Sequence, residues 1–412
     1  MKDTELYGKI LGIHDPWHVD HVEIDIPEQT IRVFLEHDDG VPWDCPECSK
    51  NVTLYDHREQ REWRHLDSCQ FKTLLVASLP RIECREHGIL TVRAPWSAPN
   101  SRFTVLFEMF AIDILSAVRV QVAAAKLLRL SQSQMHDIMH RAVERGMAER
   151  AASETITHLT IDEKSFQRGH KYITVLGDPN GHRIIDVAES RTQEAVENLL
   201  RNALTEEQRS GVDAVSMDMW KAFINAGKQV LPNADTVHDR FHIAKYLSDA
   251  VDKTRRNESR ELVKQGDSTL QNTKYIWLRS PEKMTAKQMS ALESLTGLEI
   301  ETSKAWLFKE NFRHFFKCKD VDLAREFFER WYDATIALGN KYLTKVAEML
   351  ADHIDGLLAY IKHNITNSYA ESINGMIQLL KANARGFRRF ENFRVAILFN
   401  YGKLHLYPQE IS

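Results

Sequence analysis

Three carboxylates stand where hard-cation chemistry would need them. Asp162 closes the apolar run Ile156 to Asp162 (ITHLTID), and Asp218 closes a second, Val212 to Asp218 (VDAVSMD). Glu371 lies just inside a helix predicted to start in the stretch TNSYAESING. In phosphoryl transfer, two Mg²⁺ ions about 3.5–4 Å apart activate water or a 3′-hydroxyl and stabilise the leaving oxygen. They require shared acidic oxygens that stay rigid during the attack. Aspartates on neighbouring strand ends and a glutamate from a helix supply such a set. With 58 acidic residues in 412, acids that follow strands are common, so these three gain weight only from the elements that position them. No tyrosine or serine stands in a persuasive nucleophile motif, which favours chemistry without a covalent protein intermediate.

From Thr155 the pattern reads as a strand ending at Asp162, then a hairpin of Tyr172 to Gly177 and Arg183 to Ala188 around the turn Asp178-Pro-Asn-Gly181. A helix (Gln193 to Ala203), a strand (Val212 to Asp218), a helix (Lys221 to Val230), a short strand (Ala234 to Val237) and a helix (Arg240 to Arg255) follow. The right-handed crossover rule then predicts that the strand ending at Asp218 lies parallel to, and beside, the one ending at Asp162. The two carboxylates project from the same edge of a mixed sheet with helices on both faces. Trp220, just beyond Asp218, would either stack on an unpaired base or join the core. Residues 257–362 read as a charged helical insertion whose aromatics, among them Trp277, Trp306, Phe312, Phe315, Phe316 and Trp331, form its core. Thr366, Asn367 or Ser368 then caps a helix on which Glu371, Asn374 or Gly375, and Gln378 share one face. After it comes a basic stretch with interleaved aromatics: Lys381, Arg385, Phe387, Arg388, Arg389 and Phe390. It is either a phosphate-contacting segment or a solvated loop anchored by its phenylalanines.

The amino-terminal third has a different character. Two alternating runs, His18 to Ile26 and Thr30 to His37, predict a hairpin around Pro27-Glu28-Gln29. Two knuckles follow, Cys45-Pro-Glu-Cys48 and Cys84-Arg-Glu-His87-Gly88, the second after a strand-like run from Phe71 to Leu79. Zinc takes four soft or borderline ligands in a tetrahedron, and a two-residue spacing lets one turn present a pair. One closed, structural Zn²⁺ on Cys45, Cys48, Cys84 and His87 is expected, with Cys69, His57 and His65 as competing ligands. The alternative leaves Cys84 a buried hydrophobe and His87 on the surface. Between the knuckles, residues 57–64 (HREQREWR) are a solvated strand face or an edge that contacts phosphates. From Phe103 the period becomes helical: Val105 to Val118, Val120 to Leu130, a polar break at Ser131-Gln-Ser-Gln134, then Met135 to Gly146. Helix, short polar turn and helix is the pattern of a helix-turn-helix, with Ser131 or Ser133 as cap of the second. Gln132, Gln134, His136, Asp137 and Arg141 would then face base edges or phosphates, unless the pair is a helical hairpin that binds nothing.

Size and composition set bounds. A chain of 412 residues accommodates two or three domains with real cores, and 43% hydrophobic with 27% charged residues is ordinary globular usage. The net charge of −4 argues against a simple DNA-coating protein and directs attention to local patches. Five cysteines, paired in sequence and without a secretion signal, favour metal binding over disulfides. No long apolar segment opens the chain or reaches membrane-spanning length, so a cytoplasmic protein without membrane contact is expected.

Together the words CPEC, RIECREHG, HLTIDEKSF, SMDMWKAF, HDRFHIAKY, NSYAESING and ARGFRRFENFR resemble, in order and over nearly the whole chain, bacterial insertion-sequence transposases of the DDE type, specifically the ISL-three group. The resemblance implies a multidomain α+β/α architecture in five parts. These are a zinc-ribbon-like domain (1–97), a helix-turn-helix domain (98–152), a ribonuclease-H-like domain (153–256), an all-helical insertion (257–362) and the remainder of the catalytic domain (363–412). It places the family's acids on Asp162, Asp218 and Glu371, and a further acidic residue and histidine on Asp239 and His242, in supporting or buried structural roles. Ser372 replaces a common glycine and Gln378 a usual basic residue; neither removes a ligand. The implied activity is recognition of terminal inverted repeats followed by Mg²⁺-dependent strand cleavage and transfer, with Mn²⁺ a possible substitute. The implied partners are element ends and target DNA, held by a dimer or larger assembly associated with the nucleoid. Two rivals remain at this level: a zinc-ribbon and helix-turn-helix regulator without catalysis, and a structure-specific nuclease on the same fold.

Overall fold

The computed structural model describes residues 2–150, 154–167, 171–363, 365 and 368–409; the side chains at 368, 370 and 371 fall outside that description. The chain divides into two compact units, Met1–Arg150 with Leu404–Ser412, and Ala151–Lys403. It is a mixed α/β protein, and among the described residues no helix is long and apolar enough to cross a membrane.

The first unit opens with α1 (Asp3–Leu11) and the hairpin β1 (Trp17–Asp25) and β2 (Thr30–His37). Short strands β3 (Trp43–Asp44), β4 (Asn51–Val52) and β5 (Leu54–His57) precede β6 (Arg61–Ser68), β7 (Phe71–Ala77), β8 (Pro80–Cys84) and β9 (Gly88–Thr91). They form sheets ordered β1-β2-β7-β6, β3-β4 and β5-β8-β9. Two-residue alternation sends Ile31, Val33, Leu35, Trp63, Leu75 and Ala77 to one face of the larger sheet, where they are buried with Trp17, Trp43 and Trp96. Edge-to-face pairs at 5.0 Å (Trp17–Trp96) and 5.4 Å (Trp63–Trp96) fix that core.

Three helices complete the unit: α2 (Val105–Val118), α3 (Gln121–Leu127) and α4 (Gln132–Glu149). The last begins three residues before the predicted start because Ser131 and Gln134 form a capping box. Ser131 Oγ accepts the Gln134 N–H at 3.2 Å, and Gln134 Oε1 accepts the Ser131 N–H at 2.9 Å. Glu108 on α2, with 1% exposure, accepts from Arg141 (3.0 Å) and Arg145 (2.7 Å) of α4 and locks the two helices together.

In the second unit, β10 (His158–Gln167), β11 (Lys171–Asp178) and β12 (Arg183–Glu189) form an antiparallel meander. Then come α5 (Gln193–Ala203), α6 (Glu206–Ser210), β13 (Ala214–Met217), α7 (Lys221–Val230), β14 (Asp235–His238) and α8 (Arg240–Lys264). The sheet order is β12-β11-β10-β13-β14, with β13 parallel to β10 as the crossover rule predicts. Helices α5 and α7 cover one face through Val196, Leu199, Leu200, Phe223 and Ala226.

Beyond α8 lie α9 (Lys274–Leu278), α10 (Ala286–Thr296), α11 (Glu301–Phe312), α12 (Val321–Leu338) and α13 (Lys341–Asp352). With α8 they form one apolar cluster that includes Ile243, Leu247, Val251, Trp277, Trp306, Phe312, Phe315, Phe328 and Trp331, so five of the six aromatics expected in the core are there, and Phe316 packs against it partly buried. Helix α8 outruns its predicted end at Arg255 because its charged extension serves the lobe. Arg255 is buried against Asp252 at 2.8 Å, and Glu258 accepts the N–H groups of Glu301 (2.7 Å) and Thr302 (2.8 Å) at the start of α11. Finally α14 (Ile354–His363), α15 (Ser368–Asn383) and α16 (Phe390–Tyr401) return to the sheet. Ala359 and Tyr360 pack on Ala214 and Val237, and Arg394 clamps Asp186 with bonds of 2.7 and 2.9 Å.

Candidate active site and zinc centre

Register decides which acids meet. Ile161 pairs with Met217 across β10 and β13, and Met217 pairs with His238 across β13 and β14. The residue that follows each of these three is an aspartate, so Asp162, Asp218 and Asp239 form a row one step beyond the last parallel pairs. Asp162 does not end its strand, as the apolar run suggests. β10 continues to Gln167 because β11 pairs with it from Thr160 to Gln167, with Asp162 opposite Val175. β13 and β14 stop at Met217 and His238, one residue short of the half-buried Asp218 and the buried Asp239.

Asp162 and Asp218 are half-buried and tethered alike. Each Oδ1 accepts the N–H of the next residue, Glu163 at 2.8 Å and Met219 at 2.6 Å. Asn374 on α15 donates its amide to Asp162 Oδ2, and Tyr246 on α8 donates its hydroxyl to Asp218 Oδ1 at 3.4 Å. His242 lies between two acids, with Nδ1 3.3 Å from Asp218 Oδ2 and Nε2 3.7 Å from Asp239 Oδ2. Asp239 is buried and caps α8 by accepting the Phe241 N–H at 2.8 Å. Burial, and then the Asp218 charge, push the Tyr246 hydroxyl above its ordinary value, which keeps it a donor. Glu371 lies on α15 one turn before Asn374, and its side chain lies outside the described residues. Of the departures from the family pattern, Ser372 and Gln378 are both exposed.

Trp220 is 46% exposed, so it is not core. Its ring lies 5.0 Å from the Arg191 guanidinium, which also lies 4.2 Å from the Tyr172 ring and pairs with Glu163 at 2.8 Å. Sequence reasoning missed Tyr246, Arg191 and the contact made by Asn374. Two of these had a signal: Tyr246 is four residues after His242 and Asn374 three after Glu371, the spacings that share a helix face.

The basic segment meets the far end of β10. Lys381 Nζ donates to the Ser165 carbonyl at 3.0 Å, and the Gln167 amide donates to the carbonyls of Phe387 (3.0 Å) and Arg388 (3.3 Å). Arg385, Arg388 and Arg389 are exposed. Phe387 and Phe390 turn inward, toward Phe393 (4.8 Å) and Phe166 (6.3 Å) respectively, and so are anchors.

On α4 the predicted contact residues separate. Gln132 and Asp137 are exposed. Gln134 is engaged in the capping box and Arg141 by Glu108. His136 is half-buried 6.0 Å from His140, and burial, followed by the His140 charge, pushes its pKa down.

The zinc ligands do converge. One atom from each of Cys45, Cys48, Cys84 and His87 lies within 4.8 Å of the others. A tetrahedron with Zn–S bonds of about 2.3 Å has S···S edges of about 3.8 Å and S···N edges of roughly 3.6 Å. The Cys48–Cys84 separation is 3.8 Å, Cys84 to His87 Nδ1 is 3.6 Å and Cys45 to His87 Nδ1 is 3.8 Å. The residues present fit a single zinc ion. The Cys84 thiol is lowered to about 6, first by the backbone N–H of Glu86 and then by His87, favouring the thiolate that binds metal. The competing ligands are elsewhere: Cys69 is exposed, His65 bonds Thr104 at 2.9 Å and His57 meets His37 at 2.7 Å.

Comparison with known proteins agrees with this layout. The profile of a transposase family, the ISL-three group, matches residues 159–397, and that of the zinc finger of the transposases of IS204, IS1001, IS1096 and IS1165 matches residues 42–87. The transposase for insertion sequence element IS1557 of Mycobacterium tuberculosis is 24% identical over 418 residues, covering 94% of this chain and 93% of its own. The transposase for insertion sequence element IS1001 of Bordetella parapertussis is 23% identical over 402 residues, covering 96% and 98%. The first profile spans more than half of the chain, from the strand of Asp162 to the helix that clamps the sheet: the protein belongs to the ISL-three group of insertion-sequence transposases.

Proposed function

We propose that the chain binds the terminal inverted repeats of its own element, cleaves there and joins the ends to target DNA, with Asp162, Asp218 and Glu371 holding two Mg²⁺ ions on a ribonuclease-H-like sheet. The observation that carries this reading is the parallel register that sets Asp162 and Asp218 side by side, one residue past the Ile161–Met217 pair. Their donor set is hard carboxylate oxygen, each carboxylate offers about four lone-pair sites, and the donors described above leave capacity for a cation. When bound, the ions would lower the pKa of water or a terminal 3′-hydroxyl and stabilise the leaving oxygen. Mn²⁺ would substitute.

The chain's own groups orient the carboxylates. Asn374 fixes Asp162, and His242 with Tyr246 fixes Asp218, while Asp239 steadies His242 and the start of α8. The exposed Trp220 ring offers a face to an unpaired base next to the site. Arg385, Arg388 and Arg389 contact phosphates, as does Lys381. Gln167 lies five residues beyond Asp162, roughly 17 Å along an extended strand, so the basic segment would grip DNA well away from the scissile bond.

We read the remaining regions in the same terms. Residues 1–97 are a zinc-ribbon-like domain, 98–152 a helix-turn-helix of α3 and α4, and 257–362 a helical insertion in a catalytic domain of 153–256 and 363–412. The first turn of α4, with Gln132 and His136, faces base edges; a dimer or larger assembly holds two ends together.

The test is strand cleavage of a labelled duplex carrying the element's terminal repeat in Mg²⁺. Asp162→Asn, Asp218→Asn and Glu371→Gln each abolish cutting while end binding persists. A variant that cuts at the wild-type rate removes that residue from the site.

A further inference from the structure

On the larger sheet of the amino-terminal unit, the face opposite the buried core carries charged side chains beside Phe34, Leu74 and Val76. Thr30, Arg32, Glu62, Arg64, Lys72 and Leu74 alternate out of phase with the buried set. Pairings of Arg32 with Leu74, Leu74 with Arg64, and Thr30 with Lys72 put them on the opposite face. Arg61 at the start of β6, Arg102 in the loop before α2 and Arg129 in the turn before α4 close around that face, and together they line a groove of 730 Å³. Leu130 and Gln134, at the start of α4, form part of its wall.

The groove is crowded with positive charge. Arg32, Arg61, Arg64, Lys72, Arg102 and Arg129 line it, against one lining carboxylate, Glu62, which pairs with Arg32 at 3.1 Å. Asp67 is shared between Arg64 and Arg129. Six cations against these two acids leave a net of four positive charges, in a chain whose total is −4. Burial, and then the Arg129 charge, hold the Arg64 guanidinium down to about 10, and burial followed by Arg102 lowers that of Arg61. A polyanion laid along the groove would relieve this repulsion.

We propose that this groove is a backbone clamp for duplex DNA, in which Lys72 and Arg102, with Arg32, Arg61 and Arg129, take phosphates of one strand next to the amino terminus of α4, while the buried Arg64 adds positive charge beneath them. The inference rests on the reading of the amino-terminal unit as the DNA-binding part of the chain. The cations come from β2, β6, β7 and two loops, spread along a sheet face, which suits a row of phosphates better than one small anion. Long cationic side chains on a backbone set register and add affinity without reading sequence.

Lys72 and Arg102 make no ion pair among the described residues, so Lys72→Gln with Arg102→Gln in the full chain removes charge without breaking a structural contact. Binding to a duplex carrying the element's terminal repeat, and to a scrambled duplex, is followed by fluorescence anisotropy across about 50–200 mM salt. Each lost phosphate contact lowers the slope of log affinity against log salt by about 0.9, so the double variant has a slope shallower by about 1.8. At about 0.1 M salt its affinity falls roughly 60-fold on both duplexes, and the ratio between them is unchanged. Zinc content stays at the wild-type level. A wild-type chain that binds with a double variant of identical slope and affinity overturns the clamp alone. A wild-type chain that binds neither duplex overturns the DNA-binding reading and the clamp with it.

Discussion

Acid should loosen the strand end that carries the carboxylate row, and the structure sets the size of the effect. His238 ends β14, immediately before Asp239, and is 3% exposed. Gly356 on α14 lies against its ring, where a Cβ would overlap the imidazole, and His353 stands 5.2 Å away. Burial first, and then the His353 charge, push the His238 pKa from 6.5 down to about 4. A base whose folded pKa is depressed binds its proton more readily when unfolded, so stability rises with pH between the two values. The contribution is complete above about 6.5 and is lost as pH falls toward about 4. At pH 5 the loss is about 2 kcal/mol, equivalent to roughly 30-fold more frequent opening. Hydrogen exchange of the β14 amides, corrected for intrinsic rates, reads this directly at pH 7 and pH 5. His238→Gln removes most of the difference. A His238 resonance that titrates near 6.5 in the folded chain, or a Gln variant with undiminished acid sensitivity, refutes the reasoning.

Two further outcomes follow from the packing. Strands β3 and β4 have two residues each, too few to hold a sheet, so the knuckle at 45–48 depends on metal shared with Cys84 and His87. Cys48→Ser or a strong chelator removes one zinc per chain by mass spectrometry and speeds hydrogen exchange at residues 43–52 and 84–91; zinc content equal to wild type eliminates this ligand set. Arg394→Ala leaves the buried Asp186 carboxylate without its paired guanidinium, a loss of about 3 kcal/mol. Unfolding of the second unit then shifts accordingly, and Asp186→Leu in the same chain restores part of the stability; a shift below about 1 kcal/mol contradicts the clamp.

What the sequence made legible divides along a physical line. Elements set by local periodicity and by chirality were readable: the meander, the parallel placement of β13 beside β10, the aromatic core of the helical lobe, and the two knuckles whose four ligand atoms converge. Features set by partners far along the chain were not. Arg141 lies on the expected stretch of α4, yet Glu108, one of two carboxylates on the largely apolar α2, turns its guanidinium inward. Arg255 looks like the end of α8 by composition, but Asp252 and the Leu270 carbonyl give its charge a buried place and the helix runs on. The position of Asp162 is the most instructive case. Its apolar run suggested a strand end because hydrophobicity stops there, and the backbone continues because β11 keeps supplying hydrogen-bond partners as far as Lys171, opposite Gln167. Hydrophobic pattern reports where the sheet is covered on its faces, whereas strand length reports where the ladder is paired. At Asp162 the two part company: the strand loses its parallel neighbour while keeping its antiparallel one. A sheet so built presents a carboxylate at an open step, on backbone that remains rigid on one side.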